Sequence, residues 1–153
     1  MTRPFQLFYR SLATALLVVW NCAASAQLAT PAGLWKTHSD RTGEADGLVR
    51  IMEERGEFVG RVEKVFSPPN ESPNPRCDRC SGELRDQPVV GMAILRGIRR
   101  EQDDFTQGTI LDPDDGETYR CTVTMKDGGN RLEIRGYLGL PVFGRTQTWT
   151  RVE

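Results

Sequence analysis

The sequence predicts an all-β protein, an eight-stranded antiparallel up-and-down barrel. Short stretches with alternating apolar and polar residues recur at even spacing along the chain. Most are separated by turns rich in Gly, Asp, Asn or Pro, and no amphipathic stretch of helical length lies between them. An open sheet of eight strands would leave two edges that can pair with other chains, whereas a barrel has none. A sandwich of two sheets is the alternative.

The first 26 residues have the pattern of a secretory signal peptide. Two arginines precede an apolar run at 12–20, and small residues follow it. The run is too short to span a bilayer as a stable helix, so we expect cleavage after Ala26 and no transmembrane anchor. Lipid attachment at Cys22 is a weaker interpretation, because a tryptophan and an asparagine precede it. The sequence therefore predicts a periplasmic or secreted protein.

The remaining segment, 27–153, suits one barrel domain with a single core. Removing the two signal-peptide arginines from 20 basic residues leaves 18, against 21 acidic residues, for a net charge of −3. Phosphate contacts need clustered Lys and Arg, but here the arginines are scattered among carboxylates. This distribution argues against a nucleic-acid partner.

The first three strands are predicted at 33–37, 48–52 and 58–66, with polar, glycine-containing turns at 40–47 and 54–57. The third strand has one apolar face that includes a glycine, where the strand can bend as a barrel requires. The residues on that face are Phe58, Gly60, Val62 and Phe66.

The segment 67–88 is predicted to be a long loop, because its five prolines cannot donate a regular ladder of hydrogen bonds. It contains Cys77 and Cys80 in a Cys-x-x-Cys motif. In an oxidising compartment a disulfide between them would staple the loop. Pairing of either one with Cys121 is the alternative that stays open.

The Cys-x-x-Cys motif also has redox and metal interpretations. A thioredoxin-type site would place it at the start of a helix beside a βαβ unit, and neither is predicted here. A zinc site would need four ligands, for which His38 is the single histidine beside the three cysteines of 27–153. We therefore expect no metal and no cofactor, and keep a cysteine-dependent metal or redox protein as an alternative.

Five further strands are predicted at 89–98, 105–111, 117–125, 132–138 and 145–151. The turns between them are a charged turn at 99–104, an Asp-rich reversal at 112–116, a hairpin at 127–130 and a glycine-punctuated corner at 139–144. Alternation assigns one face of each of the last three strands to the interior. These faces carry Tyr119, Cys121, Val123 and Met125; Leu132, Ile134, Gly136 and Leu138; and Arg145, Gln147, Trp149 and Arg151.

Catalytic groups are not evident in this pattern. The aspartates at 112–115 are explained by turn formation, and their spacing does not match a calcium-binding loop. No serine or cysteine nucleophile is paired with a plausible base. The protein is therefore predicted not to be an enzyme.

The interior contains the candidate ligand-binding residues, a mixture of aromatic and polar side chains that suits an amphipathic ligand. These candidates are Trp35, Phe58, Tyr119, Arg145, Gln147 and Trp149. Phe66 and Met125 are also expected to point inward. The alternative is that the same side chains fill a small barrel completely.

Two features resemble known proteins. Gly33-x-Trp35 resembles the Gly-x-Trp signature of lipocalins, which are eight-stranded barrels, and Arg151 resembles the arginine that packs across that tryptophan. The guanidinium can stack on the indole and tie the first strand to the last, so the resemblance implies that Gly33, Trp35 and Arg151 close the barrel.

From 33 to 151 the chain is also similar to an uncharacterised family of small exported bacterial proteins, domain of unknown function 2147. The residues that carry this similarity are Gly33 to Trp35, Cys77 and Cys80, Gly91-Met92, 110–113 with Gly116 and Tyr119, 135–139 and 144–151. The resemblance implies an exported lipocalin-like barrel and transfers no catalytic residue.

Taken together, these observations predict an exported, non-enzymatic binding protein for a small hydrophobic or amphipathic ligand. An envelope protein-interaction module that contacts a partner protein through the 67–88 loop is the principal alternative.

Overall fold

The computed structural model describes residues 30–39, 42–102 and 104–153. The predicted signal peptide at 1–26, with Cys22, lies outside these residues. The described chain forms a closed antiparallel barrel of eight strands, and the predicted fold class is confirmed. A sandwich is excluded because the ring of strand pairs is unbroken.

The barrel strands follow one another up and down around the ring. They are β1 (Gly33–His38), β2 (Ala45–Glu54), β3 (Glu57–Val65), β4 (Ala93–Ile98), β7 (Gly108–Leu111), β8 (Thr118–Lys126), β9 (Arg131–Tyr137) and β10 (Arg145–Arg151). Their order around the barrel is β1-β10-β9-β8-β7-β4-β3-β2, closed by pairing of β1 with β2. A separate two-stranded sheet pairs β5 (Arg100–Glu101) with β6 (Asp104–Phe105).

Three short 3-10 turns complete the secondary structure of the described chain, and none of its residues is in an α-helix. The turns are Gly82–Leu84, Asp127–Gly129 and Pro141–Phe143.

Strand β3 bends where the sequence predicted it. The pairing register shifts on either side of Gly60. A Cβ atom built on Gly60 would lie 2.9 Å from Cβ of Leu95, so the bend brings β3 and β4 too close for a larger residue. This bend lets the sheet curve into a closed ring.

Several predicted strand ends were wrong. β2 begins at Ala45, inside the predicted turn, whose residues 40 and 41 lie outside the described chain. The segment 89–92 is not part of β4, because Gly91 and Met92 make irregular hydrogen bonds to the backbone of Val62.

The strand predicted at 105–111 is also divided. Phe105 pairs with Arg100 in the small sheet, so the barrel strand begins only at Gly108.

Two side chains were assigned to the wrong environment. Leu138 follows the end of β9 and is exposed, because alternation no longer applies beyond the strand. Phe66 follows the end of β3 and lies on the surface under the ammonium group of Lys64. Tyr137, on the face of β9 opposite Leu132 and Ile134, is buried and donates a hydrogen bond to Gln107.

The core fills the barrel from one end. It consists of the inward side chains of all eight strands and is continued at the other end by Cys77, Cys80, Val89 and Met92 of the β3–β4 connection. The β2–β3 turn, the β8–β9 turn and both ends of the described chain lie at the filled end. The β1–β2, β3–β4, β7–β8 and β9–β10 connections lie at the other end, which we call the mouth.

Candidate functional site: a cavity at the mouth of the barrel

The mouth contains a cavity of about 840 Å³. Its inner wall is apolar, because apolar side chains from six strands line it. The inner wall consists of Val49, Val62, Ile94, Ile110, Leu111, Ile134 and Trp149. Gly136 continues this wall toward the mouth, and its missing side chain leaves room between Tyr119 and Ile110. The barrel interior is therefore packed at one end and open at the other.

The rim of the cavity carries ionisable side chains of both signs. The basic members are Lys64, Arg76, Arg79 and Arg145, and the acidic members are Asp46, Glu71, Asp78, Asp112, Asp114 and Asp115. Most of them come from connections between strands, not from the strands themselves. The cavity therefore changes from apolar at its base to charged at its opening.

One side of the rim is built from the Asp-rich turn 112–116 packed on the Cys-x-x-Cys loop. Cys77 and Cys80 form a disulfide and are both buried. The sulfur of Cys77 lies 3.4 Å from the carbonyl oxygen of Pro113. Gly116 has a φ of +76°, and a Cβ atom at this position would lie 2.2 Å from the carbonyl oxygen of Arg79. The two segments are thus in direct backbone contact.

The aspartates of this turn have structural roles that the sequence predicted. Asp112 accepts a hydrogen bond from the N–H of Asp114 at 2.9 Å, and Asp115 accepts one from the N–H of Glu117 at 2.8 Å. Asp115 also accepts a hydrogen bond from the hydroxyl of Tyr119 at 2.7 Å, which raises the pKa of Tyr119. Their side chains nevertheless line the cavity, which the turn interpretation did not anticipate.

Burial raises the pKa of Asp112, and the nearby carboxylates of Asp115 and Asp114 add to this effect. The hydrogen bond from the N–H of Asp114 and the charge of Arg145 oppose it only in part. A raised pKa means that the folded protein holds this proton more tightly than the unfolded chain does. Ionisation of Asp112 therefore lowers stability as pH rises through its folded pKa.

We expect the variant Asp112→Asn to be more stable than the wild type at neutral pH, since asparagine keeps an oxygen for the N–H of Asp114 without the charge. The advantage should shrink as pH falls toward about 3.9, where an unfolded aspartate becomes protonated. Urea unfolding of the wild type and the variant at a series of pH values in this range measures the stability difference. A stability difference that does not change with pH would contradict this assignment.

The cavity wall includes four of the six predicted ligand-binding residues: Tyr119, Arg145, Gln147 and Trp149. The last three lie on the inward face of β10, where Gln147 accepts a hydrogen bond from the indole of Trp149 at 3.2 Å. Tyr119 reaches the same wall from β8.

The other two predicted residues, Trp35 and Phe58, do not line this cavity. Both point into the barrel but are packed at its filled end. Phe58 contacts Phe105 edge to face, with ring centroids 5.7 Å apart. Alternation identifies inward side chains without showing how deep in the barrel each one lies.

Trp35 is part of a closure at the filled end. The guanidinium of Arg151 lies 4.2 Å from the centroid of the indole ring. The indole N–H donates to the carbonyl oxygen of Pro31 at 2.7 Å. Gly33 has a φ of +142°, and a Cβ atom there would lie 2.4 Å from Nη1 of Arg151. The three residues are thus adjacent and join the first strand to the last.

Arg151 also ties the chain ends together. It donates hydrogen bonds to the carbonyl oxygens of Gly129, Ala32 and Thr30 at 2.6, 2.8 and 2.6 Å. These acceptors belong to the β8–β9 turn and to the segment before β1. One side chain therefore seals the end of the barrel opposite the cavity.

Cys121 is buried with a free thiol, and burial raises its pKa to about 12. A protonated, inaccessible thiol is a poor nucleophile. Treatment with iodoacetamide at neutral pH should therefore leave Cys121 unmodified in the folded protein and label it in denaturant, as read by peptide mass mapping. Rapid labelling of the folded protein would show that the barrel opens at this position.

The described residues contain no group of three or more His, Cys, Asp or Glu side chains placed to hold a metal ion. Cys77 and Cys80 are joined to each other, while His38 lies on β1 with its ring Nδ1 3.3 Å from the carbonyl oxygen of Thr148. Because both disulfide sulfurs are buried, they are also poorly placed for exchange with an external thiol.

Most rim residues could not be identified from the sequence. The apolar wall follows from alternation, but Lys64, Arg76 and Asp46 converge only because distant connections meet at the mouth. No local pattern indicates such a meeting.

A family model described as uncharacterized proteins conserved in bacteria, domain of unknown function 2147, matches residues 33–151. The chain belongs to this family. The match runs from β1 through β10 and so covers the whole barrel.

A solved structure, protein HP1028 from the human pathogen Helicobacter pylori, is similar in fold, with a TM-score of 0.68 and 21% sequence identity. The alignment covers 82% of this chain and 84% of that protein, which is described as belonging to the lipocalin family. A search of curated proteins gave no match. The lipocalin-like architecture is thus supported by an independent comparison.

No helix in the described part of the chain has the length and apolar character needed to cross a membrane.

Proposed function

We propose that this protein is an exported, non-enzymatic binding protein that holds a small amphipathic molecule in the mouth cavity. The observation that carries the proposal is a cavity of about 840 Å³ with an apolar inner wall and a charged rim. Ligand pockets in proteins typically measure about 300–1,000 Å³ and combine apolar walls with a few polar groups.

The gradient of polarity gives the orientation of the ligand. Its apolar part would lie against Ile134 and Trp149, where burial removes hydrocarbon from water. Its polar part would remain at the rim beside Arg145 and Asp112, where groups of both signs can bind donors and acceptors. A purely apolar ligand would leave these rim groups to water and gain nothing from them.

Export is supported by two features. The pattern of residues 1–26 is that of a signal peptide. The buried disulfide between Cys77 and Cys80 is typical of proteins in oxidising compartments. We therefore place the protein in the periplasm or outside the cell.

The predicted alternatives have less support. Five residues of the 67–88 loop line the cavity, which favours a role of this loop in the proposed ligand site over a separate protein-interaction module. They are Glu71, Pro75, Arg76, Asp78 and Arg79. A cysteine-dependent redox role would require accessible sulfur at Cys77 or Cys80, and both are buried.

Filling the cavity should abolish binding. A Cβ atom at Gly136 would make only ordinary contacts, 3.6 Å or more from Tyr119 and Ile110, and a longer side chain would extend into the cavity. We expect Gly136→Leu to weaken binding of amphipathic probes by at least about tenfold, the effect of about 1.4 kcal/mol. The change in tryptophan emission on addition of a fatty acid, an alkylamine or an alkyl glycoside of equal chain length measures binding and head-group preference, because Trp149 lines the cavity and Trp35 does not.

The matched control is Gly128→Leu, which places the same side chain in the β8–β9 turn, where nothing lies within 4 Å of the added Cβ. This variant should bind the probes like the wild type. Native mass spectrometry of the purified protein would identify a bound natural ligand. Failure of all three probes to bind the wild type would overturn the proposal.

A further inference from the structure

The connection between β9 and β10 is an exposed apolar loop, which we call the mouth loop and define as residues 138–144. It contains no polar side chain. Its large side chains are 60–80% exposed, in contrast to most apolar side chains of the strands. They are Leu138, Leu140, Val142 and Phe143. Adjacent exposed apolar side chains of this number indicate an interaction surface.

The mouth loop has a defined conformation. The N–H groups of Phe143 and Gly144 donate to the carbonyl oxygens of Leu140 and Pro141 at 3.1 and 3.0 Å, forming a 3-10 turn. Arg135 donates to the carbonyl oxygens of Pro141 and Val142 at 2.8 and 3.2 Å. Much of the polar backbone is thus satisfied within the loop, as an apolar surrounding requires.

The base of the mouth loop borders the cavity. Gly136 and Arg145, on either side of it, both line the cavity wall. Arg120 is the cross-strand neighbour of Tyr137, so three arginines, with Arg135, surround the base of the loop. Acidic groups are also near: Asp112 of the β7–β8 connection lines the cavity with Arg145, and Glu133 lies two residues before Arg135 on β9.

We propose that the mouth loop docks the protein on the surface of a lipid bilayer, with its apolar side chains inserted among the acyl chains. Apolar side chains next to cationic groups favour the bilayer interface, where phosphates meet hydrocarbon. Many backbone groups of the loop are already hydrogen-bonded within the protein. Insertion into hydrocarbon requires such internal bonds, whereas docking on a protein does not, because a partner protein can supply hydrogen-bonding groups of its own. A symmetric dimer through this loop would bring the arginines of two copies together.

Docking in this manner turns the cavity mouth toward the membrane. An amphipathic molecule could then pass between the bilayer and the barrel with little exposure of its apolar part to water. The docking surface goes beyond the proposed ligand binding and does not depend on it, because the mouth loop lies outside the cavity.

Flotation with vesicles of phosphatidylcholine and phosphatidylglycerol tests the proposal. We expect the wild type to float with the vesicles and the double variant L140S/F143S to partition at least about tenfold less, since two side chains lose their apolar burial. The matched control is M52S/V152S, which removes two exposed apolar side chains near the filled end of the barrel and should float like the wild type. Equal flotation of the two double variants would overturn the proposal.

A second measurement does not depend on the N-terminal segment, whose apolar run could bind vesicles if it were retained. The variant Phe143→Trp places a reporter in the mouth loop at a position that is 80% exposed, so the fold should be unaffected. Relative to the wild type, its added fluorescence should shift to the blue and be quenched by brominated lipid. A reporter that remains in water in the presence of vesicles would contradict bilayer docking, as would a wild-type dimer that L140S/F143S converts to a monomer.

Discussion

Replacing Trp35 with alanine is expected to lower the free energy of unfolding by about 3–5 kcal/mol. Trp35 is fully buried and is covered by the guanidinium of Arg151. Alanine would leave a void at the filled end of the barrel and remove the aromatic face on which the guanidinium stacks. It would also leave the carbonyl oxygen of Pro31 without its donor. Urea unfolding followed by circular dichroism measures the change.

A double-mutant cycle that combines Trp35→Ala with Arg151→Ala measures the coupling energy between the indole and the guanidinium. Because the guanidinium and the indole are in contact, their losses should not add, and the coupling should be about 0.5–2 kcal/mol. Trp149→Phe is the control, since Trp149 is equally buried but the Arg151 guanidinium stacks on the ring of Trp35. Additive losses for Trp35→Ala and Arg151→Ala would show that the stacking does not stabilise the closure.

The variant Trp35→Ala also tests whether ligand binding is confined to the cavity at the mouth. Trp35 does not line the cavity, so probe binding by the folded fraction of Trp35→Ala should equal that of the wild type. A specific loss of binding, at a urea concentration where the variant is still folded, would mean that the two ends of the barrel are coupled.

The strands could be predicted from the sequence because alternation is a local property. β10 occupies the predicted residues, 145–151, and its inward face carries Arg145, Gln147 and Trp149 as expected. The same rule was wrong at Leu138 and Phe66, since each lies just beyond the end of its strand, where the peptide no longer follows the pleat.

The rim could not be predicted for a different reason. Gly116 and Arg79 are far apart in sequence, and their contact depends on the path of a proline-rich loop with no periodic pattern. The turn chemistry of the aspartates at 112–115 was predicted correctly, but that chemistry does not say what the turn packs against. Alternation therefore identified inward side chains such as Gln147 and Trp149, whereas the position of the cavity and the charged groups at its opening required the tertiary structure.

Gly116→Ala is expected to lower the free energy of unfolding by about 2–5 kcal/mol. An alanine at a φ of +76° is strained by about 1–2 kcal/mol. In addition, its Cβ atom would lie 2.2 Å from the carbonyl oxygen and 2.4 Å from the carbonyl carbon of Arg79. Both atoms belong to the backbone, so no side-chain rotation relieves the overlap, and overpacking of this kind costs about 1–3 kcal/mol. The turn 112–116 must move away from the disulfide loop.

The control for backbone strain alone is Gly128→Ala, at a φ of +63° with nothing within 4 Å of the added Cβ. The difference between the two variants isolates the contact between turn and loop. Because Asp112 and Asp115 move with the turn, Gly116→Ala should also weaken probe binding, while Gly128→Ala should not. Equal stability of the two variants would mean that the turn and the loop separate without loss of folding free energy. Equal probe binding would mean that the rim does not depend on their contact.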